Sequence, residues 1–370
     1  MPEISIVLPT YNGEQYISQS IDSILKQTFP DWELIVVNDC STDRTLEIVK
    51  QYAEYDHRIK IIDNNINKKL PNSLNIGFQH SCGSLLTWTS DDNLYHENAL
   101  EIMKNELEKD PSINMVRAGM INIDETGEKI GLQPVGEPDM LYFHNNIGAC
   151  FMYRRIILEE IGEYDADLFL VEDYDYWLRI IEHYSKIKYI KEPLYYYRRH
   201  KNSLTETKKT MINNQIRKLK DKHIPILLNK FERNPSMICQ LYLDYYGCTG
   251  DLSGIDKYFF RVFPPLKYNR QRLNGKGIII LGAGNIGCYA QKVLGKKVIS
   301  FSDNDLKKIG KTINGIPVIS VEEMVMMKDM IDIVIAVSPA FIHELLIQLD
   351  SIGINEFYIY QCILFGNLEG

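Results

Sequence analysis

Short apolar runs alternate with amphipathic stretches along the first two hundred residues. Ile4 to Leu8 is a near-continuous apolar run closed by Pro9, the pattern of a strand buried on both faces of a parallel sheet. After the turn Thr10-Tyr11-Asn12-Gly13, residues Ile17, Ile21, Ile24 and Leu25 recur at helical spacing, and Leu34-Ile35-Val36-Val37 is a second buried run ending in Asn38-Asp39. This is a βαβ unit. Ser41 and Thr42 can cap a helix carrying Leu46, Val49 and Ala53; Ile59 to Ile62 makes a third strand, and a helix around Ser73 to His80 leads into Ser84-Leu85-Leu86-Thr87-Trp88. The alternation predicts an α/β fold with a mostly parallel open sheet, which binds ligands beyond the carboxyl ends of its strands. Tyr11, Asp39 and Asp91 fall there.

Beyond this, Leu100, Met103 and Leu107 mark an amphipathic helix, and Met115 to Ile123 reads as a strand turning at Asp124-Glu125-Thr126-Gly127-Glu128. Leu132 to Asn146, broken by Pro134, Gly136 and Pro138, is an irregular segment. Ala149 to Arg154 resumes a strand, Ile156 to Ile161 a short helix ended by Gly162, and Lys188 to Tyr197 an alternating strand running into Arg198-Arg199-His200. Lys201 to Lys230 has a helical pattern with eight Lys or Arg against Glu206 and Asp221. From Lys257 to Arg272, five basic residues interleave with Tyr258, Phe259, Phe260, Phe263 and Tyr268 and no acid. That segment reads either as packing and a solvated linker or as an interfacial anchor on anionic lipid.

The pattern then restarts. Ile278-Ile279-Ile280-Leu281, Gly282-Ala283-Gly284-Asn285-Ile286-Gly287, a helix, and Val298 to Asp303 place an acid 21 residues after Gly282, matching the dinucleotide fingerprint in its strand–turn–helix context. Ile333 to Val337 and Phe357 to Tyr360 supply further strands. Gly282, Gly284, Gly287 and Asp303 are the nucleotide-binding candidates, in a Rossmann-like unit with no evident acid, base or nucleophile of its own. Asp303-Asn304-Asp305 with Gly315-Ile316-Pro317-Val318-Ile319 also resembles the nucleotide-binding domain of sugar-modifying acyltransferases.

Length and composition narrow the classes. At 370 residues the chain is long for one core. A net charge of -8 and the absence of long basic runs or zinc-type spacing argue against nucleic acid. The seven cysteines are scattered, without a Cys-x-x-Cys pair, as expected of thiols in a reducing cytoplasm. No window reaches the roughly 20 apolar residues of a spanning helix, so any membrane contact is expected to be peripheral, at the inner face.

The chemistry starts at Ser90-Asp91-Asp92-Asn93. Two carboxylates side by side repel and cost desolvation unless a cation or donors sit between them, which makes a divalent metal the natural partner and a solvated loop the alternative. Pro9-Thr10-Tyr11-Asn12, Val37-Asn38-Asp39-Cys40-Ser41-Thr42-Asp43, Asn67 with Asn75 eight residues later, and Ser90-Asp91-Asp92 resemble, in order and spacing, the family 2 glycosyltransferases with the GT-A fold, from about Glu3 to His200. The resemblance implies that Tyr11 stacks on the donor's base and that Asp39 accepts from it. A uracil N–H suits a carboxylate at a strand tip, while a helix cap near Ser41 is the bland reading of Asp39. Thr89 stands where the family's usual motif has Asp, leaving both Asp91 and Asp92 as metal candidates.

Gly162-Glu163-Tyr164-Asp165 with Glu172-Asp173 and Trp177 resembles the family's acceptor segment, which implies Asp173 as catalytic base and Glu172 and Trp177 as acceptor-side residues. Acids in a first helical turn are otherwise dipole partners. Arg198-Arg199-His200 resembles the family's closing strand, implying His200 as a metal ligand; a structural surface histidine is the alternative. The expectation is therefore a GT-A glycosyltransferase domain over 1–200, a helical connector over 201–275 and a Rossmann-like domain over 276–370. Pro9, Thr10, Tyr11, Asp39, Asn75, Ser90, Asp91 and Asp92 would bind a nucleoside diphosphate sugar, UDP-linked, with Mg or Mn on Asp91, Asp92 and His200. Asp173 would serve inverting transfer to a glycan or lipid-linked glycan. The alternative is a non-catalytic nucleotide-sugar sensor.

Overall fold

The computed structural model describes residues 1–133, 136, 138–184, 186–234, 237–238, 240–241, 244–245, 276–354 and 356–360. The chain divides into two compact units, Met1–Leu219 and Lys220–Gly370. The aromatic and basic segment 257–272 lies outside the described residues.

The first unit carries strands β1 (Ile4–Thr10), β2 (Trp32–Asn38), β3 (Ile59–Asp63), β4 (Leu85–Trp88), β5 (Leu94–Tyr95), β6 (Met115–Ile123), β7 (Lys129–Gln133), β8 (Phe151–Arg154) and β9 (Ile187–Arg198). Its helices are α1 (Ile17–Leu25), α2 (Thr45–Tyr55), α3 (Lys69–Gln79), α4 (Ala99–Lys109), α5 (Arg155–Ile161), α6 (Glu172–His183) and the short α7 (Leu204–Thr207); α8 (Lys209–Lys230) begins in this unit and continues past its last residue, Leu219. The sheet order is β3-β2-β1-β4-β8-β6-β9-β5, with β7 paired to β6.

Strands β3, β2, β1 and β4 are parallel neighbours, as the βαβ pattern requires. The expected mostly parallel sheet stops there: β8 runs antiparallel to both β4 and β6, β7 closes a hairpin on β6, and β5 is antiparallel to β9. Parallel pairing resumes between β6 and β9, so this half is mixed, its antiparallel pairs made by strands that return alongside one another. The hairpin is one such return, its turn tied by Thr126 and Glu128 amides donating to Asp124 Oδ1.

Every residue of β1 and β2 is buried, which is why both read as continuous apolar runs. On one face Ile4, Ile6 and Leu8 pack with Ile17, Ile21 and Ile24 of α1 and with Leu34 and Val36 of β2. On the other, α3 lies so close that a Cβ at Gly77 would sit 2.3 Å from Val7 Cγ1. Glycine at that position sets the approach of helix to strand.

The second unit has β10 (Gly277–Leu281), α9 (Asn285–Leu294), β11 (Val298–Ser302), β12 (Thr312–Ile313), β13 (Ile316–Ile319), α10 (Val321–Met326), β14 (Ile331–Ile335), α11 (Pro339–Ser351) and β15 (Tyr358–Ile359). Its sheet order is β12-β13-β11-β10-β14-β15, parallel except for the β12–β13 hairpin. Ser320 and Glu323 form a reciprocal capping box that starts α10. Among the described residues no helix is long and apolar enough to cross a membrane.

Candidate active site

Parallel pairing in register, Thr10 with Asn38 and Val7 with Trp88, brings the ends of β1, β2 and β4 to one edge of the sheet. Thr10 Oγ1 donates to Asp91 Oδ2 at 2.5 Å. The turn after β1 passes flush against that carboxylate, since a Cβ on Gly13 would lie 2.2 Å from Asp91 Oδ2. Only a glycine fits there, a constraint that the turn pattern by itself does not reveal. Asn12, at φ 55°, takes Thr42 N on its Oδ1 and donates its own amide to Ser41 Oγ, while Glu14 N donates to Asp43 Oδ2. The β1 and β2 loops are thereby clasped, and Tyr11 is left with 53% of its surface exposed beside them.

Asp39 is buried and accepts from Asn64 Nδ2 at 2.9 Å, Lys68 N at 2.8 Å and Lys69 N at 2.9 Å. It therefore binds the amides at the start of α3; before α2, whose N-cap position is Arg44, Asp43 accepts from Thr45 N. Oδ2, with one intramolecular donor, keeps capacity for another. Asn75 is placed apart from this group. Its amide exchanges two hydrogen bonds with the backbone of Tyr164, at 2.9 Å each, and so ties α3 to the segment between α5 and α6.

At the β4 end, the fold supplies cations that are more than a hundred residues away in sequence. His200 Nε2 meets Asp92 Oδ2 at 2.9 Å, and Arg198 Nε donates to the Asp92 carbonyl at 2.9 Å. Arg198 is buried, spends its remaining donors on the Asp124 and Glu125 carbonyls and on Gln19 Oε1, and lies over the Tyr16 ring. The hydrogen bond that His200 makes to the Asp92 carboxylate raises the imidazole above its ordinary value. Burial, reinforced by the adjacent Asp92 charge, pushes Asp91 well above the usual carboxylate range. Asp92 Oδ1 is buried with no hydrogen-bond partner among the described residues. Thr89 is turned inward onto Tyr195 Oη at 2.6 Å, and Ser90 holds α1 by accepting from Ser20 Oγ on its carbonyl.

Among the described residues no three or more His, Cys, Asp or Glu side chains form a metal cage by themselves. The acid pair nevertheless fits a hard divalent cation shared with a ligand: Mg2+ is commonly held by one or two carboxylates together with substrate phosphates. An unpartnered buried carboxylate oxygen beside a carboxylate that resists ionisation is the signature of missing positive charge.

Asp173 opens α6, half-buried, with Oδ1 accepting from Tyr174 N and Oδ2 from Asn145 Nδ2 at 2.8 Å. Burial raises its pKa against these bonds. Glu172 beside it is buried and turned inward onto Leu170 N, and burial together with the Asp173 charge raises it too. Of the two acids, Asp173 is the one that reaches the surface. Trp177 is fully buried against Phe151 and Tyr176, supporting α6 from within the core. Burial first, then the charges of Asp92 and Asp173, raise the Tyr197 phenol against the Thr205 hydrogen bond and the Arg199 charge. Asn145 lies in the irregular Leu132–Asn146 segment, a candidate acceptor-side loop in the sequence reading, which singles out no residue within it.

In the second unit, a Cβ on Gly287 would fall 1.8 Å from the Gly282 carbonyl, so that glycine allows α9 to pack on the turn, and Gly282 has φ 114°. Gly284 has open space around its Cβ position. Asp303 folds back onto this turn, accepting from Ala283 N at 2.7 Å, from Asp305 N at 2.8 Å and from Lys308 Nζ at 3.0 Å. Burial opposes its ionisation, but these donors outweigh it and hold the carboxyl low.

Compared with known proteins, residues 5–162 match the family described as Glycosyl transferase family 2. The putative glycosyltransferase EpsE of Bacillus subtilis is 35% identical over 204 residues, 52% of this chain and 72% of EpsE. An uncharacterized glycosyltransferase of Haemophilus influenzae is 31% identical over 246 residues, 62% of this chain and 75% of that one. Among solved structures, S. aureus TarS 1-349 in complex with UDP-GlcNAc superposes with a TM-score of 0.53 at 17% identity, covering 70% of this chain and 79% of that one, a likeness of fold.

Proposed function

The chain belongs to glycosyltransferase family 2, and from that premise we propose that it transfers a sugar from a UDP-linked donor to a hydroxyl of a surface polysaccharide or lipid-linked glycan, with inversion. The observation that carries this reading is the contrast between two acid sites: the paired Asp91 and Asp92, where a buried carboxylate oxygen has no hydrogen-bond partner among the described residues, and the more accessible Asp173, held by Asn145.

In this reading the exposed Tyr11 ring stacks on uracil and Asp39 Oδ2 accepts from the ring N–H. Pro9, Thr10 and Ser90 hold the strand ends in place for the nucleotide. Asp91 and Asp92, with His200 beside them, would hold Mg2+ or Mn2+, which when bound supplies positive charge for the departing diphosphate. Asp173 takes the proton of the acceptor hydroxyl as its oxygen bonds to the anomeric carbon and the bond to the diphosphate oxygen breaks on the opposite face. Glu172, turned inward onto the Leu170 amide and raised by burial and the Asp173 charge, leaves Asp173 as the acid that faces the acceptor. The uridine assignment is supported by the fold relative TarS, solved with UDP-GlcNAc and with UDP.

For the second unit the proposal is narrower: Gly282, Gly284 and Gly287 at the start of α9 receive a nucleotide phosphate, with Asp303 exchanging its Ala283 contact for the ribose. Donor hydrolysis and transfer measured across UDP-, GDP- and dTDP-sugars test the main reading. A UDP-sugar is expected to be turned over fastest, and turnover confined to GDP-sugars would overturn the base assignment at Asp39.

A further inference from the structure

We propose that Asn145 is a positioning residue for the Asp173 carboxylate, delivered by a loop that Arg117 pins to the sheet. The proposal rests on Asp173 being the base.

Arg117 lies on β6, between its register partners Phe151 of β8 and Tyr189 of β9, and is fully buried. A buried guanidinium in mid-sheet needs a specific use. Here it reaches the irregular segment before β8: Nη1 donates to the Asn146 carbonyl at 2.8 Å and to Asn146 Oδ1 at 3.2 Å, and Nη2 to the Gly136 carbonyl at 2.5 Å. The residue before Asn146 is therefore held by a fixed backbone, and it is this residue, exposed Asn145, whose amide lies 2.8 Å from Asp173 Oδ2.

The donors that hold the Asp173 anion are the Asn145 side chain and the backbone amides of Tyr174 and Asp173 itself. Backbone amides at a helix start fix the carboxylate's position but cannot choose its rotation. Asn145 supplies that choice from a different element. A neutral amide suits this role because it orients the carboxylate without the large loss of basicity that a Lys or Arg contact would impose. The titratable groups around Asp173 are Glu172 beside it and the phenols of Tyr164 and Tyr197, which sense its charge. None of these three donates to it.

The test compares Asn145→Ala and Asn145→Gln with the unmodified full chain, using whichever of UDP-glucose, UDP-galactose and UDP-GlcNAc is turned over fastest with Mn2+. Because Asn145 is exposed, its truncation should leave Tm in place. Asn145→Ala is expected to lower kcat about tenfold, the loss of one hydrogen bond to a charged group. It should move the acidic limb of the kcat profile to higher pH with donor KM unchanged, and Asn145→Gln should restore part of both. An unmoved acidic limb, or a rate loss that follows a lowered Tm, overturns the proposal. Asp173→Asn measured alongside separates the two layers. If it keeps near-normal turnover, the base reading fails and this inference with it. If it is inactive while Asn145→Ala leaves the limb in place, this inference alone fails.

Discussion

Two acid sites at opposite ends of one sheet show how a buried carboxylate that the fold satisfies differs from one that it leaves short of donors. At the start of β2, Glu33 is buried and accepts from Ser5 Oγ, Lys60 Nζ and Cys82 N. Burial alone would raise its pKa, but these donors outweigh it and bring the carboxyl down to about 2. Beyond the end of β4, Asp91 is pushed up and Asp92 keeps a buried oxygen without a partner, although Thr10, His200 and Arg198 are already in place. The protein neutralises the first site from its own residues. It leaves the second short of positive charge at the edge where parallel sheets bind their ligands. Asp303 in the second unit belongs with Glu33 in this respect, its carboxylate satisfied by two amides and Lys308.

The largest effect that sharpens the contrast is at Asp173, whose pKa burial raises in spite of the donors on both its oxygens. Asp173→Asn is expected to cut turnover by about 10²- to 10⁴-fold with Tm almost unchanged. A loss of stability without loss of rate would move Asp173 to the structural class.

Next comes Glu33→Gln. A depressed folded pKa contributes stability that is full above the unfolded value near 4.5 and disappears as pH falls through about 2. The substitution should cost about 2–3 kcal/mol at pH 7, discounted for the half-exposed Lys60 partner, and the gap to the unmodified protein should close in acid. Urea denaturation at pH 7 and pH 3 measures it; a gap that widens in acid reverses the sign of the argument. Asp91→Asn, by contrast, should leave Tm unchanged or raise it in EDTA, since it removes a charge that the apo site does not satisfy.

Smaller effects fall in the second unit. Gly287→Ala places a methyl against the Gly282 carbonyl and should cost about 1–3 kcal/mol by shifting α9. Asp303→Asn loses the partly exposed Lys308 ion pair and should cost under about 1 kcal/mol. Thermal unfolding of the two variants ranks them, and a larger loss at Asp303 would show that its charge, rather than the glycine packing, holds the turn together.

The βαβ half of the sheet was legible in the sequence because strands buried on both faces, such as Ile4 to Leu8, must be continuous apolar runs. The mixed half was not, since the β4–β8, β6–β8 and β6–β9 pairings are set by register between segments distant in the chain. Single acids were legible by position but not by availability. Asp39, Asp91 and Asp303 all end strands, yet only three-dimensional contacts distinguish a carboxylate committed to Lys68 and Lys69 amides from one beside an unpartnered oxygen. The same limit hid Arg198. The acid pair has no base nearby in sequence, but β9 returns beside it and brings one onto the Asp92 carbonyl. Asn75 shows the reverse case, a residue in a functional pattern whose amide is spent on the backbone of Tyr164.

The central claim is that the Asp91–Asp92 site is completed by a divalent cation and the donor's diphosphate together. Calorimetric titration of UDP into the full chain, with Mn2+ and again in EDTA, tests it most directly. Binding is expected with Mn2+ and a fall of at least about tenfold in affinity in EDTA, with the Asp91→Asn, Asp92→Asn double variant weak in both. Equal UDP affinity with and without the metal, or a double variant that binds like the unmodified protein, would contradict it.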